Sequence, residues 1–376
     1  MAEESVTKKA KRIVKRMFNF SAGPAVMPVP VLEQIRDEML CLPGVGASVM
    51  EISHRSDPFL AIQEEAKQRL IRLLGVPQSH EVLFLQGGSR LQFSMIPMNL
   101  LRGQPLAAKY LVTGTWGKSA YDEAIKEGPV DLVWDGKATN YDRLPEPAIW
   151  DQVGSGSYLH VTSNETIQGV QFQELPGMPS CPLVCDSSSD FLHRPVDVSR
   201  YGILYACAQK NAGPAGVTVV VIEKGLLQRS EKDLPGYLSF RNHAENDSMW
   251  NTPPTFAIYA LGLVAKWLEE TVGGLEAMLT RNQRKARRLY DIVDRYPQLY
   301  QGHAQPSCRS LMNVTFRLPS PEIEKAFLKG AQEAMLDGLK GHRSVGGIRA
   351  SIYNAMPEEG VEALASYMEQ FAAHHG

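Results

Sequence analysis

Apolar residues between positions 58 and 74 fall at Phe59, Ile62, Ala66, Leu70 and Leu73, with charged residues between them. This spacing predicts an amphipathic helix. The stretches Glu81–Leu85, Lys109–Thr113, Val130–Trp134, Tyr158–Thr162, Pro182–Cys185, Gly202–Ala206 and Val217–Ile222 read instead as short strands. Several have unbroken apolar cores, as strands covered on both faces do, so the pattern predicts an α/β fold.

The C-terminal third repeats the alternation on a smaller scale. An apolar helix is predicted over 254–272, opening at Pro253-Pro254, where proline suits a first turn. A charged helix over 274–295 follows the junction at Gly273-Gly274. A strand (Leu311–Arg317), a helix (321–339), a strand (Ile348–Ile352) and a last helix (357–373) then make a compact second domain. The expected divisions are 1–16, 17–272 and 273–376. Residues 1–16 carry Lys8, Lys9, Lys11, Arg12, Lys15 and Arg16 against Glu3 and Glu4, without the apolar stretch of a secretory signal. They read as a solvated basic extension, with a weak anchor to an acidic surface as the alternative.

The length of 376 residues is ample for a buried core, and the net charge of −2 argues against nucleic acid as the main partner. No apolar run reaches the roughly 18–20 residues that span a bilayer, so no membrane is expected. Five cysteines, an odd number in a long chain, do not suggest a disulfide framework. A reducing compartment, the cytoplasm, fits best.

Some motifs fail on inspection. Gly117-Lys118-Ser119 ends like a phosphate-binding P-loop, but the required earlier glycine is Val112. Gly44-Val45-Gly46 opens like a dinucleotide fingerprint, yet Val49 occupies the closing glycine position, so a tight turn is expected. Cys181 and Cys185 lack a second pair or a nearby histidine and read as buried thiols. No metal site is predicted.

Three features survive together. Gln86-Gly87-Gly88-Ser89-Arg90 follows a predicted strand, and a helix starting there would aim free N–H groups at an anion. Asp186 ends another strand, where open α/β sheets bind ligands. Lys210 lies just beyond a third, among Ala206, Cys207 and Ala208 and ahead of Gly213-Pro214-Ala215-Gly216. A lysine with so many small neighbours is unusual, since most stay in water. Taken singly, each has an ordinary reading as a turn, a helix cap or a loop lysine. Taken together they match what pyridoxal phosphate needs: an anion cup, an amine for a Schiff base and an acid beside the pyridine nitrogen. Trp116 offers a face for stacking, or is a plain core tryptophan.

The chain resembles the phosphoserine aminotransferase family, fold-type I pyridoxal phosphate enzymes among the class V aminotransferases, from Phe18 to the last helix. The resemblance is carried by Asn19-Phe20-Ser21-Ala22-Gly23-Pro24, Ile52-Ser53-His54-Arg55, Asn164-Glu165-Thr166 and Ala208-Gln209-Lys210-Asn211. Asn251-Thr252-Pro253-Pro254, Gly341-His342-Arg343 and Arg349-Ala350-Ser351-Ile352-Tyr353-Asn354 extend it. It implies a large domain with a mostly parallel seven-stranded sheet and a smaller C-terminal α/β domain. Lys210 would be the Schiff-base lysine and proton shuttle, Asp186 the partner of the ring nitrogen, Trp116 the stacking face and Thr166 the partner of the ring hydroxyl. Ser89, Arg90 and Gln209 would hold the cofactor phosphate, joined by Asn251 and Thr252 from the other subunit of a homodimer with shared sites. Ser21, His54, Arg55, His342, Arg343 and Arg349 would bind substrate carboxylates and phosphate, a task suited to arginine's planar fork.

The implied reaction is a ping-pong amino transfer from L-glutamate to 3-phosphohydroxypyruvate, giving O-phospho-L-serine for serine biosynthesis. A related phosphorylated 2-oxo acid of vitamin B6 synthesis is a second implied substrate. Asp57 departs from the family, which often has a basic residue shortly after the His-Arg pair. Two rivals remain. A cysteine desulfurase would need a mobile nucleophilic cysteine, for which Cys308 is the candidate. A catalytically idle cofactor carrier would have no need of Lys210 and Asp186.

Overall fold

The computed structural model describes residues 16–375, so the basic extension expected over 1–16 lies, apart from Arg16, outside the described residues. At the centre is a seven-stranded sheet. Its spatial order is His80–Leu85, Thr218–Glu223, Ile203–Cys207, Leu183–Asp186, Leu159–Thr162, Ala108–Val112, Val130–Asp135. Only Thr218–Glu223 runs against its neighbours, and the other pairings are parallel. The predicted strands are thus present within a residue or two of their expected bounds.

Alternate side chains explain why both faces are covered. Val82, Phe84, Val219 and Val221 enter a core shared with the helices Asp57–Leu74 and Thr255–Lys266. Leu83, Leu85, Val220 and Ile222 enter the opposite core, with Phe93 and Ile96 of helix Gly88–Leu100 and Ala120 and Ala124 of helix Thr115–Ala124. A strand whose every side chain is buried gains nothing from polar alternation, so the runs read as continuous apolar stretches. Gly117-Lys118-Ser119 lies within helix Thr115–Ala124. Gly44 and Gly46, at φ 77° and 81°, form the expected turn.

The apolar helix Thr255–Lys266 ends in a π-helical turn, Trp267–Val272, and is broken by Gly273 and Gly274 at φ 91° and 94°. Helix Leu275–Arg295 then leads into the second unit. There Gln301–Gly302, Asn313–Arg317 and Ile348–Ser351 form an antiparallel sheet, backed by helices Pro321–Glu333 and Glu358–His375. The helix expected over 321–339 stops early. Met335 takes a left-handed conformation (φ 66°), and Leu336–Asp337 pairs in parallel with Phe18–Asn19. Phe20 is wholly buried in the core of this second unit. The segment after residue 17, expected in the first domain, thus contributes a strand and a core aromatic to the second. Among the described residues no helix is long and apolar enough to cross a membrane.

Candidate active site

The C-terminal ends of the parallel strands converge on one edge of the sheet. Strand His80–Leu85 runs into Gly87 and Gly88, both left-handed (φ 84° and 63°), and helix Gly88–Leu100 starts at once. A side chain at Gly87 would come within 2.5 Å of Leu91, so the turn requires glycine for space as well as conformation. Ser89 and Arg90 occupy the first turn, beside the positive end of the helix dipole.

Asp186 ends its strand and is buried. The Ser188 backbone N–H and hydroxyl both donate to its Oδ1, which leaves Oδ2 for the cavity. Burial pushes this carboxyl up from the usual range, while Lys210 and the Ser188 donors oppose the rise. Lys210 follows strand Ile203–Cys207. Its Nζ donates to Thr166 Oγ1 at 2.7 Å and stands 5.2 Å from the ring centroid of Trp116. Arg90 approaches the same indole at 5.3 Å. Gly23 permits the lysine stem to pass, since a Cβ there would be 3.2 Å from Lys210 Cγ.

These groups line one cavity of about 360 Å³, which brings together Ser89, Arg90, Trp116, Thr166, Asp186, Gln209, Lys210, His342 and Arg349. Arg349 comes from strand Ile348–Ser351 of the second unit, and its Nε is buried with no hydrogen bond among the described residues. Burial lowers the His342 pKa from its ordinary value, and repulsion by Arg349 and Arg343 adds to the effect. The cavity therefore offers a helix start for a phosphate, a free carboxylate oxygen for a ring nitrogen and an amine. It also presents an unpartnered buried indole N–H. That donor set fits pyridoxal phosphate.

Ser21, His54, Arg55, Asn251, Thr252 and Arg343 do not line this cavity. Ser21 lies next to Ala22 and Gly23, which do. His54 and the exposed Arg55 sit just before helix Asp57–Leu74, with His54 Nε2 buried and unpartnered among the described residues. Asp57 opens that helix, where an acid suits the positive end of the dipole. The Thr252 carbonyl accepts from Gln86 Nε2 at 3.0 Å. Cys308 is buried, bonds to the carbonyls of Asp142 and Gln305, and has its thiol pKa raised by burial. Buried and bonded in this way, it lacks the exposure that a mobile nucleophile needs, and it lies outside the cavity. Cys181 and Cys185 are buried as expected, both pushed up by burial.

Sequence reasoning gave no role to Ser188, which orients Asp186, or to Glu165 and Gln168, which hold the helix carrying Trp116. One signal was available: Gly114 precedes that helix and has no side chain to cap it.

Known proteins resemble this chain over nearly its whole length. The family model for class V aminotransferases matches residues 17–364. The phosphoserine aminotransferase of Rhodopirellula baltica is 56% identical over 360 residues, covering 96% of each chain. The solved phosphoserine aminotransferase from Bacillus circulans subsp. alkalophilus superposes with a TM-score of 0.93 at 46% identity, covering 96% of this chain and 99% of that one. A solved phosphoserine aminotransferase with bound pyridoxal phosphate, from Trichomonas vaginalis, superposes with a TM-score of 0.89 at 40% identity, covering 94% and 100%.

Proposed function

The chain belongs to the class V aminotransferase family, and we propose that it works as a phosphoserine aminotransferase. It transfers an amino group between L-glutamate and 3-phosphohydroxypyruvate with pyridoxal phosphate as cofactor. The observation that carries this reading is the meeting of Lys210, Asp186, the Gly88–Leu100 helix start and Arg349 in one cavity. When bound, the cofactor supplies an electron sink for the negative charge left at a substrate carbon that has lost its α-proton.

The protein's own residues do the rest. The first turn at Ser89 and Arg90, with Gln209, receives the phosphate. Asp186, whose Oδ1 is taken by Ser188, would hold the ring nitrogen and favour its protonated form. Trp116, which lines the cavity, would offer its face to the ring. Lys210 Nζ, held by Thr166 Oγ1 at 2.7 Å, would form the link to the cofactor and hold the substrate's α-proton once freed. The guanidinium of Arg349 pairs with a substrate carboxylate in a site that both dianionic substrates occupy in turn. His342 and Arg343, with Ser21, add donors at the outer end of the site.

His54, Arg55, Asn251 and Thr252 do not line the cavity of their own chain. Their proposed place is the cavity of a second copy, in a homodimer with shared sites. The cytoplasm is the compartment that suits five free thiols. By family resemblance, a phosphorylated 2-oxo acid of vitamin B6 synthesis is a second acceptor.

A half-reaction titration tests the assignment. The yellow colour of the holoenzyme should bleach with glutamate or phosphoserine and return with the matching 2-oxo acid, while serine acts poorly. Colour without bleaching would favour a carrier, and serine acting as well as phosphoserine would remove the anionic specificity.

A further inference from the structure

We infer that Glu165 is a positioning residue for the cofactor ring, capping the helix that carries Trp116 and so fixing the indole against the ring slot. This role rests on the cofactor reading above. Helix Thr115–Ala124 begins after Gly114, which has no side chain to satisfy the free N–H groups of the first turn. The cap comes instead from a distant hairpin, in which Asn164–Glu165 pairs with Val170–Gln171. Glu165 Oε2 accepts the backbone N–H of Trp116 at 3.0 Å, and Oε1 accepts that of Gly117 at 2.8 Å. Gln168 completes the set. Its Oε1 accepts the Thr115 N–H at 3.4 Å, and its Nε2 donates to Thr115 Oγ1 at 2.7 Å. A side-chain carbon at Gly114 would overlap the Glu165 carboxyl, so the glycine that cannot cap is also the one that admits the substitute.

The neighbour of Glu165 is Thr166, whose hydroxyl accepts from Lys210 Nζ. Two consecutive residues thus hold the stacking face and the amine in register. The same hairpin is fastened to the unit that carries Arg349. Thr315 Oγ1 donates to the Gln168 carbonyl at 2.8 Å, and the Ser310 N–H donates to that of Gly169 at 2.9 Å. Glu165 itself is wholly buried without an ion-pair partner among the described residues. Burial and nearby Asp186 push its carboxyl up, to about 7, against the pull of the two N–H donors and Lys210. A buried carboxylate kept without a paired cation is costly. The two helix donors, which need an acceptor oxygen each, give the reason for keeping it.

A double-mutant cycle on cofactor affinity tests the role, with pyridoxal phosphate titrated into apoprotein of wild type, E165Q, W116A and E165Q/W116A. Glutamine keeps the volume but turns an amide toward one of the two N–H groups. E165Q should weaken cofactor binding about tenfold when Trp116 is present, and within roughly twofold when it is absent. It should also change the visible circular dichroism per occupied site. An equal loss in both backgrounds, no loss in either, or unchanged dichroism alongside a lowered thermal midpoint would overturn the role. Should E165Q fail to fold, Gln168→Ala takes its place under the same criteria. A wild-type protein that does not bind pyridoxal phosphate would refute the cofactor reading itself, a result distinct from failure of the cycle alone.

Discussion

At the scale of single residues, the site is a set of groups kept short of partners. Arg349 has a buried Nε, Trp116 a buried indole N–H and Asp186 one carboxylate oxygen, each without a hydrogen bond among the described residues. Trp116, Asp186 and Arg349 all line the cavity, where a bound ligand can satisfy such groups. Arg349→Ala should therefore act on substrate and spare the cofactor. We expect kcat/KM for both glutamate and phosphoserine to fall roughly 10–100-fold, with pyridoxal phosphate affinity unchanged within about twofold, as steady-state kinetics and apoenzyme titration would measure. A cofactor affinity that falls as far as substrate affinity would move Arg349 out of the substrate's reach. His342 titrates below the usual histidine value, so near neutral pH it meets an arriving dianion as neutral imidazole. The dianion favours the charged form, so binding takes up a proton and tightens as pH falls toward that pKa.

At the scale of elements, helix Leu275–Arg295 is joined to the last third of the chain by a buried lysine. Lys285 Nζ donates to the carbonyls of Ile352, Tyr353 and Met356 at 2.9, 2.7 and 3.2 Å. Burial pushes this amine down, to about 7, with Glu358 opposing the fall and Arg281 adding to it. Lys285→Met should cost about 2–4 kcal/mol of stability, read by denaturant unfolding of the holoenzyme, because the carbonyls lose their donor. An unchanged midpoint would mean that the methionine stem packs well enough to offset the loss. Lys285 reads in the sequence as one more charge on a helix with many, and only the fold shows it facing inward. The same holds for the cap on helix Thr115–Ala124, whose acceptor lies about fifty residues further along. The central strands were legible because burial on both faces leaves continuous apolar runs, as in Thr218–Glu223. The two-residue strands Phe18–Asn19 and Leu336–Asp337 carry no such run, and their pairing is set by tertiary packing, so the helix expected to 339 came out too long. Asp186, Lys210 and the Gly87-Gly88 turn were legible as candidates because each ends or follows a strand at one edge of the sheet, and they line one cavity. Ser188 and Glu165 act on other residues, and no local pattern marks that.

At the scale of the molecule, the cavity of one chain is lined without His54 or Arg55, and the proposed shared sites would draw them from a second copy. Two crippled variants should then rescue each other. Lys210→Ala and a His54→Ala/Arg55→Ala double variant, each nearly inactive alone, should recover about a quarter of wild-type activity after mixed refolding, since half the dimers are mixed and each of those has one intact site. No recovery, with dimers confirmed by sedimentation, would place both defects in the same site. The connection between the two units has its own consequence. Phe18–Asn19 pairs with Leu336–Asp337, and Phe20 is enclosed by residues from the far end of the chain. A ribosome adding about 5–20 residues per second makes those aromatics roughly 15–60 s before their binding strand exists. During that interval they are exposed on a nascent polypeptide, an early opportunity for chaperones and an early hazard in their absence.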